Sequence, residues 1–323
     1  MIADVTPPLC RACRTTSLTH CLTVRDGRAI PPRDTEILAC PRCGTGRTGL
    51  VADEAEVRHL NDALYALETA YANRVHDGYH RRRCLDDATW IDRRVRPAFR
   101  DIARPRHLDV GCSGGGMMLA FGDLGYESFG IEPSAALDDA PAELSARIQR
   151  CYFGEEAFDE PFHLVTAFHV LEHVNDPEAF LTRCRERLHD RGMTVIEVPD
   201  FDCARKRLRH DPEALLNHIS PYYHVHHFTL AGLEAILRRT GFTTVWRGRV
   251  APLVVRSAPR PAADAGVEAV REDRSVPEAP PRGNPLRFLK EMAWNFRLLR
   301  IGCRHVLAHT LGLGQHIRVI ARR

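Results

Sequence analysis

The segment His107-Leu-Asp-Val-Gly-Cys-Ser-Gly-Gly-Gly116, followed by Glu132, most constrains what this chain can fold into. A short apolar run, a cluster of glycines and an amphipathic run predict a buried strand, a tight turn and a helix start. A second apolar run, Ser128–Glu132, then ends in an acid. Glycines at such a turn let the backbone approach a ligand closely. The acid lies 21 residues after Gly111, where a carboxylate can accept both hydroxyls of a ribose. The dinucleotide fingerprint G-x-G-x-x-G is not matched, because Ser113 stands at its middle glycine.

Alternating apolar and amphipathic runs continue downstream, the pattern of βαβ units and a parallel sheet. Further strands are predicted at Ile148–Phe153, His163–Val170, Met193–Val198 and Thr243–Val250, and a last one at Ile317–Arg322. Helices are predicted at Gly116–Leu124, Pro177–Leu188 and Thr229–Thr240, the last stopped by Gly241. The chain divides into a cysteine-bearing region at 1–50, a helical connector or lid at 51–104 and an α/β core at 105–256. A linker rich in Pro, Ala, Glu and Arg follows at 257–283, then an amphipathic helix and the final strand at 284–323.

Eleven cysteines are present, and four of them form two C-x-x-C pairs, Cys10/Cys13 and Cys40/Cys43, separated by 26 residues. No export signal or run of 18 apolar residues is visible, so a cytoplasmic chain is expected and metal is favoured over disulfides. Four thiolates suit one structural Zn²⁺, with Cys21 as a spare, in a zinc-ribbon-like region. Such a closed site is not catalytic.

Net charge is +3, too small to argue for nucleic acid. The 285–311 stretch carries Phe288, Trp294 and Phe296 among several arginines. It reads as a helix packed on the domain or on a second copy in a homodimer, with peripheral membrane contact as the alternative.

Asp109–Gly116 with Glu132 resembles the cofactor motif of class I S-adenosylmethionine-dependent methyltransferases. The resemblance extends through Phe168-His-Val-Leu-Glu-His-Val-Asn-Asp-Pro177, Leu188–Pro199 and His226–Phe242, about residues 105–250 in all. It implies a Rossmann-like α/β fold with a seven-stranded sheet and S-adenosylmethionine as cofactor. Asp109 and the backbone of Gly111, Cys112, Ser113 and Gly115 would lie near the methionine part, and Glu132 would bind ribose. Glu156, in the 154–158 segment, would flank adenine, and Phe168 would help close the pocket. Ser113 in place of glycine implies a modest local adjustment.

A hydroxyl or an enolisable carbon acceptor needs a base as well as alignment. Two histidine clusters qualify. The first is His169, Glu172 and His173, where a helical turn would put both rings on one face. The second surrounds His224 and His227, before the helix at Thr229. Loop-stabilising and helix-preceding roles are the simpler alternatives for these residues. A two-histidine metal site taking one ligand from each cluster is a further one. With the zinc region, the resemblance points to sugar- or natural-product-tailoring methyltransferases acting on a small-molecule acceptor. An RNA-base methyltransferase and a non-catalytic binding module are the alternatives.

Overall fold

The computed structural model describes residues 9–26, 33–49, 58, 78–207, 224–250 and 316–323. The first part of the expected helical connector, 51–77 apart from Arg58, the 257–283 linker and the helix expected over 285–311 lie outside these residues.

The core is one mixed sheet. In chain order its strands are β4 (Arg106–Val110), β5 (Glu127–Ile131), β6 (Ile148–Gln149), β7 (Phe162–Phe168), β8 (Leu188–Pro199), β10 (Thr243–Val250) and β11 (His316–Arg322). Across the sheet the order is β10-β11-β8-β7-β4-β5-β6. The β6-β5-β4-β7-β8 pairs are parallel, while β11 is antiparallel to both β8 and β10. The seven-stranded Rossmann-like sheet expected from the sequence is therefore present. Strand order reverses at β4, whose C-terminal end opens a crevice between its two parallel neighbours, the usual ligand position of such sheets.

The central strands are buried on both faces, which is why they read as apolar runs. Leu108, Val165, Ile196 and Val319 pack with Leu233, Ile236 and Leu237 of α5 (Leu230–Arg239) on one side. Trp90, Ile91 and Val95 of α1 (Gly78–Val95) pack with Leu164, Val195 and Ile320 on the other.

The helices begin where side chains satisfy their free amides. Asp176 caps α3 (Pro177–Glu186) by accepting from the Glu178 and Ala179 amides at 3.0 Å each. Thr229 caps α5 by accepting from Gly232 N at 3.1 Å. The predicted helix over 177–188 is shorter, because Leu188 already starts β8. The predicted strand over 148–153 is cut to two residues, since a turn follows.

A second sheet, β1-β2-β3-β9, is built from β1 (Thr19–Asp26), β2 (Arg33–Ala39), β3 (Gly46–Thr48) and β9 (His226–His227). Phe201 and Ala204 of α4 (Phe201–Arg207) pack against Ile37 and Ala39 of β2. β9 belongs by sequence to the core, so the cysteine-bearing region is hydrogen-bonded into the α/β part of the chain through Gly46↔His227 and Arg47↔His226.

Candidate active site and metal centre

The turn after β4 behaves as the glycine spacing suggests. Gly111 has φ +73, and a Cβ there would meet Val170 Cγ2 at 2.5 Å. Gly115, at φ +86, starts α2 (Gly116–Asp123). Ser113 adopts φ +49 despite its side chain. Its amide donates to Glu132 Oε2 at 2.9 Å, and the Ser134 amide donates to Oε1 at 2.9 Å. Glu132 is thus a buried, fixed carboxylate at the end of β5, with lone pairs left on both oxygens. Asp109 is buried beside it and accepts from Thr166 Oγ1 at 2.6 Å. Burial, reinforced by Glu132, pushes the Asp109 carboxyl up to about 7.

A cavity of about 340 Å³ opens at these strand ends. Gly111, Pro133, Tyr152, Phe153, Val170 and His173 are among its lining residues. Arg58 lies 4.1 Å over the Tyr152 ring and pairs with Glu155 at 2.8 Å. The apolar walls, close backbone and fixed carboxylate fit an adenosine-type cofactor.

Two of the expected cofactor residues, Glu156 and Phe168, are placed otherwise. Glu156 is buried, but it is held by Arg187 Nε at 2.8 Å and by the Gly154 amide, so Tyr152 and Phe153 form that wall instead. Phe168 packs toward the α1 side and lies under the Arg318 guanidinium at 5.5 Å. Cys112 is buried against Met118 and Leu144, and only its backbone belongs to the turn.

The first histidine cluster does not form a helical turn. His169 has φ +56 and leaves β7 in a bend. His169 Nδ1 is 3.3 Å from Glu172 Oε1, and its Nε2 is 3.5 Å from Glu197 Oε1. The ring of His173 lies 4.8 Å from that of His224. Ligand atoms of Glu172, His173 and His224 fall within 4.8 Å of one another, a donor set able to carry a proton or a divalent cation.

His227 is not available as a base. It is buried, its Nε2 lies 3.0 Å from Thr48 Oγ1, and burial pushes it down to about 3. His226 is likewise buried, with Nε2 3.2 Å from the Asn175 carbonyl.

Sequence reading missed Glu197, His316 and Arg318. Arg318 is buried and donates to Glu197 Oε2 at 2.6 Å and to Asp87 at 2.8 Å. His316 Nδ1 is 3.3 Å from Glu197 Oε1. Burial alone would raise the Glu197 carboxyl, yet Arg318 and the two histidines hold it well below the ordinary range. The signal was a charge inside each of two apolar strands, Val195-Ile-Glu-Val and Ile317-Arg-Val-Ile.

The cysteine pairs form a matched set of turns. Cys13 N lies 3.5 Å from Cys10 Sγ, and Cys43 N lies 3.5 Å from Cys40 Sγ. Arg14 (φ +54) and Gly44 (φ +75) close the two knuckles in the left-handed region. Sγ separations are 3.6 Å for Cys10–Cys43 and 3.5 Å for Cys13–Cys40, with all four sulfurs within 4.8 Å. Zn–S bonds of about 2.3 Å in a tetrahedron require S···S edges of roughly 3.8 Å, so the set fits Zn²⁺. Cys21 sits apart, against Ile37 and Phe201.

Residues 79–246 match the family model described as "Methyltransferase domain". A stretch of 106 residues is 35% identical to the ubiquinone biosynthesis O-methyltransferase of Rhodopseudomonas palustris (strain BisA53), covering 31% of this chain and 42% of that one. The protein of the same name from Bradyrhizobium sp. (strain ORS 278) is 39% identical over 100 residues, covering 29% and 39%. The matches thus span about two fifths of these relatives. Among solved structures, the plantazolicin methyltransferase BpumL in complex with SAH aligns with a TM-score of 0.52 at 15% identity, over 84% of this chain and 94% of that one. The plantazolicin methyltransferase BamL aligns with a TM-score of 0.52 at 12% identity, over 84% and 96%. At these identities the likeness is one of fold.

Proposed function

The chain belongs to the methyltransferase-domain family, and from that premise we propose that it methylates a small polar acceptor, a sugar or a secondary-metabolite scaffold, from S-adenosylmethionine. The observation that carries this reading is the cavity whose lining brings Gly111 and Pro133 of the turn region together with His173. The cofactor supplies a methyl group already activated on a sulfonium. The chain's own residues then have to hold, align and deprotonate.

Glu132, kept in place by the Ser113 and Ser134 amides, receives the ribose hydroxyls. Asp109 and the Gly111–Gly115 backbone hold the cationic end. Tyr152 and Phe153 flank the base. His173, on the cavity wall, takes the proton from a hydroxyl or an acidic carbon of the acceptor. His169 carries a positive charge between Glu172 and Glu197 and faces the same end of the sheet, where it steadies developing negative charge. Zinc held by the four thiolates is structural.

Transfer of tritium from S-[methyl-³H]adenosylmethionine to hydroxylated sugar and phenolic acceptors tests this reading. Label should move to a small acceptor, and His173→Ala should abolish transfer while cofactor binding persists. Transfer to RNA instead would support a nucleic-acid acceptor. Binding without transfer to either would support a non-catalytic module.

A further inference from the structure

His107 has no part in the mechanism above, yet it is a polar side chain with no exposure, in the middle of β4. Residues i and i+2 of a strand share a face, so His107 and Asp109 lie on one side of the sheet. Nδ1 of His107 is 3.1 Å from Ser128 Oγ on β5, and Nε2 is 2.8 Å from Thr166 Oγ1 on β7. Thr166 Oγ1 in turn is 2.6 Å from Asp109 Oδ1. Four buried side chains from three adjacent strands therefore form one line of hydrogen bonds that ends at Asp109. The rings of Phe121 and Tyr126, centred 4.2 and 6.3 Å from His107, cover the imidazole.

Hydrogen counting restricts this line. Burial pushes His107 down to about 3, so near neutrality its ring is uncharged and carries one N–H. An ionised Asp109 only accepts. Then Thr166 O–H donates to Asp109, His107 Nε2–H donates to Thr166, and Ser128 O–H donates to Nδ1. The opposite sense requires a proton on Asp109 Oδ1 and places the imidazole proton on Nδ1. The Leu108 carbonyl, at 3.5 Å from Thr166 Oγ1, is the weaker outlet for that hydroxyl.

We propose that His107 is a positioning residue for the donor site: as the Nε2–H tautomer it commits the Thr166 hydroxyl to Asp109, presenting that carboxylate to a cationic ligand. The proposal rests on the assignment of Asp109 to the cationic end of the cofactor. Asp109 has need of such help. Among the described residues, Glu132, Cys112 and Cys84 are the titratable groups whose charges bear on it or are borne on by it, and none is a cation. Burial opposes its charge, and among the described residues the Thr166 hydroxyl is the contact that favours it. A bound ammonium or sulfonium adds to the same side, so ligand binding and the Nε2–H tautomer favour each other.

The test is long-range ¹H–¹⁵N spectroscopy on the full chain carrying ¹⁵N-histidine, with and without S-adenosylhomocysteine. In the complex, the His107 signal, identified by its loss in His107→Gln, should show the proton on Nε2. A proton on Nδ1 in the complex overturns the proposal. Calorimetry with S-adenosylhomocysteine gives a second readout. His107→Leu should weaken binding roughly tenfold or more, the effect of disturbing a hydrogen bond to a charged group. His107→Gln, whose amide can still donate toward Thr166, should recover part of it, and the KM for the acceptor should not change. Leu binding as tightly as wild type overturns the proposal. If His107→Leu does not fold, the tautomer of the wild type decides. Failure of wild type to bind S-adenosylhomocysteine would instead strike the donor-site reading. The free protein at pH 8.5, with Asp109 ionised, would then still report the tautomer.

Discussion

His169 and Glu197 meet twice: the His169 amide donates to the Glu197 carbonyl at 2.9 Å, and its Nε2 lies 3.5 Å from the Glu197 carboxylate. The parallel register of β7 and β8, with Phe168 opposite Glu197, brings them together. Burial pulls the imidazole down, but Glu172 and Glu197 outweigh it and raise His169 to about 9. The unfolded value is about 6.5. A pKa raised by folding means stability that is complete below about 6.5 and lost as pH rises through about 9. The ring is partly exposed, so screening reduces the contribution to about 1 kcal/mol. Urea denaturation between pH 6 and 9.5 should show this loss in wild type and not in His169→Asn, where Asn tolerates the left-handed backbone. Equal slopes in the two proteins would remove the assignment.

Arg318 should be among the most sensitive positions in the chain. It is buried with Glu197 and Asp87, so Arg318→Met removes the cation that the two carboxylates share and leaves them the longer contacts to His169 and Arg83. Removing one partner of a buried pair destabilises by about 3–5 kcal/mol. Chemical denaturation of Arg318→Met should show a loss of that size. Adding Glu197→Gln should recover part of it, because the buried charge that lost its strongest partner is then gone. A double variant no more stable than the single one would argue against charge as the cause.

Ser113 holds a conformation that glycine adopts freely, φ +49. Left-handed backbone in a residue with a Cβ costs about 1–2 kcal/mol, and glycine returns about 0.5–1 kcal/mol of that as chain entropy. Ser113→Gly should therefore raise stability by about 0.5 kcal/mol and leave cofactor affinity unchanged, because the contact to Glu132 is made by the amide. Thermal unfolding checks the first and calorimetry the second. A clear fall in Tm would mean that the serine side chain has a role of its own.

Zinc removal should act on the acceptor side before the donor side. Thr229, the cap of α5, donates to the Cys43 carbonyl, and Thr48 donates to the His224 carbonyl at 2.7 Å. The Glu132 and Asp109 contacts involve no residue of the second sheet. Elemental analysis should find one zinc per chain, absent in Cys40→Ser. That variant should lose acceptor turnover and thermal stability while still binding S-adenosylmethionine. Cofactor binding lost in step with zinc in a folded variant would contradict this division.

The turn and strand order that build the candidate donor site were largely legible because local rules dictate them. Glycines mark the turn, an acid ends the next strand, and period and length set the βαβ order. The histidines were legible as residue types but not as contacts. His169 and His173 were expected on one helical face, but His169 takes a left-handed bend and pairs with Glu172 and Glu197, whereas the His173 ring lies against His224. His227 looked like a free base and is instead the edge of a sheet shared with the zinc region, through a pairing 179 residues apart in sequence. The Glu197–Arg318 pair likewise joins strands 121 residues apart, and no local pattern announces which buried charge answers which.

Calorimetric titration of the zinc-loaded chain with S-adenosylmethionine tests the central claim most directly. The expected result is one binding event per chain, weakened by about 1.5–3 kcal/mol in Glu132→Ala through loss of hydrogen bonds to a charged group. No binding by the folded, zinc-loaded wild type, or equal affinity in Glu132→Ala, would contradict it.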